Sequence, residues 1–301
     1  MKQGNSPRVQ NLLCPQIETP TLTQAMTTPA PTEIPTQPAM AGQLPGFTHR
    51  AHPFLSGGAF LIALAVLLLA PAANWPAAVL LVAVTASTLM ALARQLPWQN
   101  VWLVALLIAV SGSLASVAGT LTAMPFGPFV FGPAAGAQLF KTLPWGMPLL
   151  WVVAVLNSRG VARLILRPWR KTRTYGFWLM GVTAALVMAF DLALDPFASR
   201  VKHFWIWTPT NFPVTWQGAP LVNFPGWMVV TLLMLSFITP ALINKQLSKR
   251  STPDFHPLAV WLGAVLLFGI AVAARKLWPA VALDAVLLAV VSVLAVRGGR
   301  W

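Results

Sequence analysis

The chain has 301 residues, and 9% of them are charged, against about 25% in an ordinary soluble domain. Twenty Lys and Arg face six Asp and Glu, for a formal net charge of +14, while 57% of residues are hydrophobic and the mean hydropathy is +0.70. So few polar side chains cannot cover a water-facing surface, which excludes a soluble enzyme. The high pI comes from missing acids, and the basic residues lie between apolar runs rather than in one patch, so no nucleic-acid partner is implied. The composition describes an integral membrane protein, all-α, built as a polytopic bundle of transmembrane helices. The single cysteine, Cys14, excludes an internal disulfide framework and any Cys-based metal site.

Residues 1–50 are rich in Thr, Pro and Gln without an apolar period, which predicts a disordered tail ahead of a transmembrane domain over 51–301. The tail lacks the pattern of a signal peptide, and Met26 and Met40 are alternative starts. A bilayer-spanning helix needs about 20 mainly apolar residues. Such runs occur at 54–73, 75–93, 98–120, 144–162, 175–194, 226–243, 257–274 and 277–296. The fourth is the weakest, because Arg159 and Arg163 sit at its end. Two irregular stretches, 121–143 and 195–225, are rich in Pro, Gly and aromatic residues. Each contains an echo: Phe126-Gly127-Pro128 recurs as Phe131-Gly132-Pro133, and Asn211-Phe212-Pro213 as Asn223-Phe224-Pro225.

With eight spans and a cytoplasmic N-terminus, 15 of the 20 basic residues fall inside and five outside, which the positive-inside rule favours. The expectation is a multi-pass protein of the cell (inner) membrane, with both irregular stretches on its outer face. Seven spans would separate those stretches. Segment 159–173 holds six basic residues, Arg159, Arg163 and Arg167 being four apart. It reads as an anchor touching anionic headgroups of the membrane lipids, in preference to a substrate phosphate site.

An ionisable group inside the hydrocarbon is costly, and so points to function. Asp191 and Asp195 end the fifth run, spaced i, i+4, which puts both carboxyls on one helix face. Two neighbouring acids in apolar surroundings cannot both ionise easily, so one keeps a proton and can donate it to carbon. Asp195-Pro196 also fits a helix start, with Asp as the cap. Asp284 lies within the last run, as a third member of the site or a partner for Arg275, and Asp254 reads as a turn residue. Segment 203–227 brings Trp205, Trp207, Trp216, Gln217, Asn223 and Trp227 to the same boundary. These tryptophans form either an interfacial belt or a set of ring faces able to stabilise a carbocation. The four histidines are scattered without paired metal spacing, and no phosphate or dinucleotide loop is present, so no metal and no cofactor is expected. Asp191-x-x-x-Asp195 is half of a magnesium–diphosphate motif, but no second Asp pair exists.

The segments DLALDP (191–196), the Trp-x-Trp of 205–207, GAPLVNFPGW (218–227) and TLTAMPFGPFVF (120–131) together resemble the carotenoid biosynthesis membrane proteins. That family includes the carotenoid 1,2-hydratases, also called γ-carotene 1′-hydroxylases, and bisanhydrobacterioruberin hydratase. The resemblance covers about residues 110–240. The chain departs from the family pattern at Ser116, where a Glu is expected, at Phe129 and Phe131 for tyrosines, and at Trp216-Gln217 for a Tyr-Tyr. The resemblance implies a carbon–oxygen lyase that adds water to the terminal 1,2 double bond of an acyclic carotenoid end group, of lycopene or γ-carotene type, without cofactor. Its substrate would be a carotenoid within the bilayer, and other enzymes of the pathway are candidate partners. On that reading Asp191 donates the proton and Asp195 handles the water. Trp205, Trp207, Trp216 and Trp227 line the end-group pocket, Asn223 and Gln217 bind water, and Phe126, Gly127, Phe131 and Gly132 flank the polyene. The alternatives are a carotenoid end-group cyclase and a non-enzymatic carotenoid-binding or transport protein.

Overall fold

The computed structural model describes residues 48–70, 73–209, 214–242 and 253–301. The expected tail over 1–50 falls almost wholly outside the described residues, as do Asn211-Phe212-Pro213 and the basic residues Lys245, Lys249 and Arg250.

Eight helices long and apolar enough to cross a membrane form the bundle: α1 Thr48–Leu69, α2 Trp75–Ala93, α3 Trp98–Thr122, α4 Gly146–Ile165, α5 Tyr175–Asp195, α6 Asn223–Ile238, α7 His256–Ala274 and α8 Trp278–Gly299. The chain is therefore a multi-pass integral membrane protein. The fourth run, weakest by sequence, is the most enclosed helix. Its spanning window is 67% buried, against 22% for those of α1 and α8, and it packs on α2, α3, α5, α7 and α8. Its low apolarity follows from that position, because Asn157, Ser158 and Arg159 turn inward rather than toward lipid. Small residues allow the close approach, as in membrane helix pairs generally. A Cβ on Gly112 of α3 would stand 2.3 Å from Cγ of Trp151, and one on Gly160 would stand 2.3 Å from Pro257 of α7.

Helix α6 begins at Asn223, earlier than the expected 226. Pro225 falls in its first turn, where a missing N–H costs nothing because that donor has no intrahelical partner. The Asp195-Pro196 step behaves differently from the expected cap. The chain runs from α5 straight into a π-helical turn, Pro196–Val201, and the Asp195 side chain makes no capping bond. Pro196 has no N–H for the carbonyl of Leu192 four residues earlier, and Trp216 Nε1 supplies the donor instead at 3.2 Å.

The two irregular stretches meet. Among the strands β1 Phe129–Phe131, β2 Gln138–Leu139, β3 Leu143–Pro144, β4 Trp205–Trp207, β5 Thr215–Trp216 and β6 Ala219–Pro220, β2 pairs with β3 and β5 with β6 as local hairpins. Strand β1 pairs antiparallel with β4, with Phe129 opposite Trp207 and Phe131 opposite Trp205. The stretches thus occupy the same face of the bundle, here called the sheet end. The opposite end carries the α2–α3, α4–α5 and α6–α7 connections and most of the described arginines.

Candidate active site at the sheet end

The last turn of α5 faces the first turn of α6, which brings an acid from one against an amide from the other. Asp191 and Asp195 are both fully buried. Asn223 Nδ2 donates to Asp191 Oδ2 at 2.6 Å, while Asp191 Oδ1 is buried with no hydrogen-bond partner among the described residues. Asp195 is held on both sides. Its Oδ1 accepts from the indole N–H groups of Trp205 at 2.7 Å and Trp207 at 2.9 Å, and its Oδ2 from Ser199 Oγ at 3.4 Å. Two tryptophans separated by one residue on β4 share one carboxylate oxygen because β4 is short and lies across the end of α5. The pairing with β1 fixes their height over the site.

In front of Asp191 lies a cavity of about 20 Å³, lined by Ser116, Phe126, Phe129, Phe131, Met147, Asp191, Trp205, Trp207, Asn223 and Trp227. That is room for a single water molecule. Its polar atoms come from three side chains and the rest of its wall is aromatic or thioether. Trp227 stacks on Trp151, with centroids 3.9 Å apart and planes at 22°, and Phe126 packs against both. Trp151 Nε1 donates to Ser116 Oγ at 3.0 Å, and Ser116 donates to the Gly112 carbonyl at 2.8 Å. A second, apolar groove of about 320 Å³ is bounded by α1, α2, α4, α5 and α7. Phe131, Met147 and Trp205 line both spaces and form the partition between them. Lys202, just beyond α5, lines the groove and donates to the Ala73 carbonyl at 2.8 Å. Burial, and next the charge of Arg275, hold its ammonium below the ordinary lysine range.

Of the residues expected from sequence, Asp191, Phe126, Phe131, Trp205, Trp207, Asn223 and Trp227 meet at the cavity. Asp195 sits behind the indoles and does not line it. Gly127, at φ +97°, makes the turn before β1, where a Cβ would press on Pro220. Gly132 admits the backbone of the partner segment, since a Cβ there would stand 2.2 Å from the His203 carbonyl oxygen. Both glycines shape the wall from behind. Trp216 serves the Leu192 carbonyl, and the Gln217 carbonyl accepts from Arg200 Nε at 2.6 Å, so neither reaches the cavity. Asp284 is buried on α8 against Gly269, with no partner for either oxygen among the described residues and no place in the cavity. Among the described residues Asp284 therefore neither joins the cavity nor pairs with Arg275. Asp254 accepts from the His256 N–H at 3.0 Å, the turn bond its sequence suggests. His52 and His256, distant in sequence, meet edge to face at 4.6 Å beside Ser87 and Arg94. The interfacial belt is filled by other tryptophans, exposed Trp75, Trp169, Trp178 and Trp278 at helix ends.

Sequence alone did not single out Met147 or Trp151, and it marked Ser116 and Phe129 only as departures from the family pattern. Trp151 had a usable signal: it lies within the fourth run rather than at its boundary, where a lipid-facing tryptophan belongs.

The sequence profile described as "Carotenoid biosynthesis protein" matches residues 75–291, which include every residue of the cavity. Bisanhydrobacterioruberin hydratase of Haloarcula japonica is 32% identical over 122 residues, 40% of this chain. That match spans 39% of the relative's own length. No solved structure matches. With the profile covering well over half of its length, the chain belongs to the carotenoid biosynthesis protein family.

Proposed function

We propose that the protein is a carotenoid hydratase that adds water across the terminal 1,2 double bond of an acyclic end group and yields a 1-hydroxy carotenoid. One observation carries the reading: a buried carboxyl with one unpartnered oxygen, Asp191 Oδ1, faces a water-sized cavity walled by aromatic rings. The family membership and the name of the Haloarcula relative support it.

The polyene lies along the apolar groove, and its end group passes the partition at Phe131, Met147 and Trp205. Met147, flexible and polarisable, is the side chain suited to move aside. Neutral Asp191 transfers its proton to C2, and the π electrons form the new C–H bond. The resulting tertiary cation at C1 faces Trp205, Trp207 and Trp227, whose ring faces stabilise positive charge. Water held by Asn223 and Ser116 attacks C1, and its surplus proton returns to Asp191. The carboxyl ends as it began, and the sum is alkene plus water to alcohol. Asp195 acts as a positioning residue: by fixing both indole N–H groups it sets the planes of Trp205 and Trp207. In this reading the N-terminus is cytoplasmic, the protein sits in the cell membrane, and the cavity lies toward the outer face.

Expression in a lycopene-producing host, followed by pigment mass analysis, tests the reading. The expected product is heavier by one water, and water labelled with heavy oxygen delivers its label to the hydroxyl. A product of unchanged mass identifies a cyclase, which shares the protonation and then loses a proton. Label arriving from molecular oxygen overturns hydration, and pigment bound without conversion favours a carrier.

A further inference from the structure

The arginine end contains a second built space that the reaction at the sheet end does not use. A cavity of about 500 Å³ opens between α2, α4, the start of α5 and the start of α7. Among the described residues, five arginines line it, Arg94, Arg159, Arg163, Arg167 and Arg170, against one acid, Asp254. The acid does not neutralise them. One Asp254 oxygen accepts from the His256 N–H and the other from Gln95 Nε2 at 2.9 Å, and Gln95 in turn accepts from Arg163 at 2.7 Å.

Arg159 is the telling member. It lies about 10 Å inside the end of α4, at 1.5 Å per residue, and is 7% exposed. It forms no hydrogen bond or ion pair with a described residue. Nearby, Asn157 donates to Thr88 and the Val153 carbonyl, while its own Oδ1 is buried without a partner. A guanidinium at that depth is costly unless an anion or water meets it. The sequence reading put Arg159 among charges resting on headgroups at the surface, yet it points into an enclosed space instead. Planar guanidinium forks match the paired oxygens of a phosphate, and several around one space favour an anion that offers several acceptor oxygens. Exposed Trp169, Phe177 and Trp178 neighbour the lining residues Arg167, Arg170 and Tyr175 in sequence, and such aromatic residues favour a membrane–water boundary.

We propose that this cavity binds a phosphate group, with Arg159 as its deepest contact. The shared chemistry is a phosphate mono- or diester anion, and the test separates a lipid headgroup from a soluble phosphate. The full chain, purified in neutral detergent, is titrated with short-chain phosphatidylglycerol, short-chain phosphatidylcholine and inorganic phosphate, with bound ligand read by native mass spectrometry. Saturable binding of phosphatidylglycerol, absent with phosphatidylcholine, is expected. Arg159→Gln weakens it about tenfold or more, Arg159→Lys falls between, and Arg173→Gln, outside the cavity, leaves it unchanged. Saturable, Arg159-dependent binding of inorganic phosphate alone assigns the site to a soluble phosphate and supports the same chemistry. Equal retention of both lipids overturns the proposal, as does Arg159→Gln binding like the unaltered chain. If Arg159→Gln loses its near-ultraviolet circular dichroism, Arg163→Gln at the exposed rim replaces it, with the same loss expected and the same overturning result.

Discussion

The two ends of this bundle bury ionisable groups in opposite ways. At the sheet end two carboxyls are enclosed and held by neutral donors, two indoles, an amide and a hydroxyl, with no arginine or lysine hydrogen-bonded to either. At the arginine end a guanidinium is enclosed beside a cavity whose one carboxyl is occupied by neutral groups. Among the described residues, no ion pair is seen for Asp191, Asp195 or Arg159. A fully paired site is electrostatically quiet, whereas a carboxyl held only by N–H and O–H groups can exchange a proton, and an arginine without an acid can receive an anion. The contrast teaches that the small, aromatic-walled space suits chemistry on a neutral hydrocarbon, and the larger, arginine-lined one suits binding.

The comparison breaks most visibly at Asp191. Asp191→Asn keeps the shape and the contact with Asn223 but removes the transferable proton, and conversion should fall by at least about 100-fold. Undiminished 1-hydroxy product from an inserted, expressed variant would remove Asp191 from the chemistry. A graded test follows at Asp195. Asp195→Ala strands two buried indole N–H groups and frees the planes of both rings, and the misplacement should lower turnover by up to about 100-fold. Replacing both tryptophans with Phe in the same chain should restore part of what was lost, because removing both sides of a hydrogen bond is milder than removing one. If the triple variant recovers nothing relative to Asp195→Ala, fixing the two indole N–H groups is not what the acid contributes.

Packing between α3 and α4 gives a smaller effect. Gly112→Ala drives a methyl into Trp151, and the overpacking should cost about 1–3 kcal/mol, measured as a lower thermal midpoint in detergent. An unchanged midpoint would mean that α3 can shift away from α4 freely. The least change is expected at Asp284→Asn. This acid touches neither cavity, so conversion should stay within about twofold, as for substitutions away from a site. A large loss would extend the sheet-end chemistry to α8.

The helices were readable because each needs only a run of apolar residues of bilayer length, and that is a local property. The sixth run was drawn from 226, and α6 starts three residues earlier because a first-turn proline breaks nothing. Asp191 was readable through scarcity: with six acids in the chain, any acid inside a span stands out. The roles of Gly127, Gly132, Trp216 and Gln217 were not, since each serves a partner distant in sequence or a carbonyl freed by a neighbour. A Trp-rich segment at a membrane boundary reads the same whether its rings face lipid or a carboxylate.

By itself, then, the sequence determined that this protein lives in a bilayer, crosses it eight times and keeps a pair of acids at the end of the fifth span. Hydrophobic run length and charge placement fix those matters without reference to any other part of the chain. Only the tertiary structure decided which acid keeps one oxygen unpartnered among the described residues and which has both tied. That outcome depends on β4 reaching across α5 and on α6 presenting Asn223, contacts between segments tens of residues apart. The same holds for Arg159. Sequence placed it among surface charges, and the packing of α4 at the centre of the bundle turned it inward.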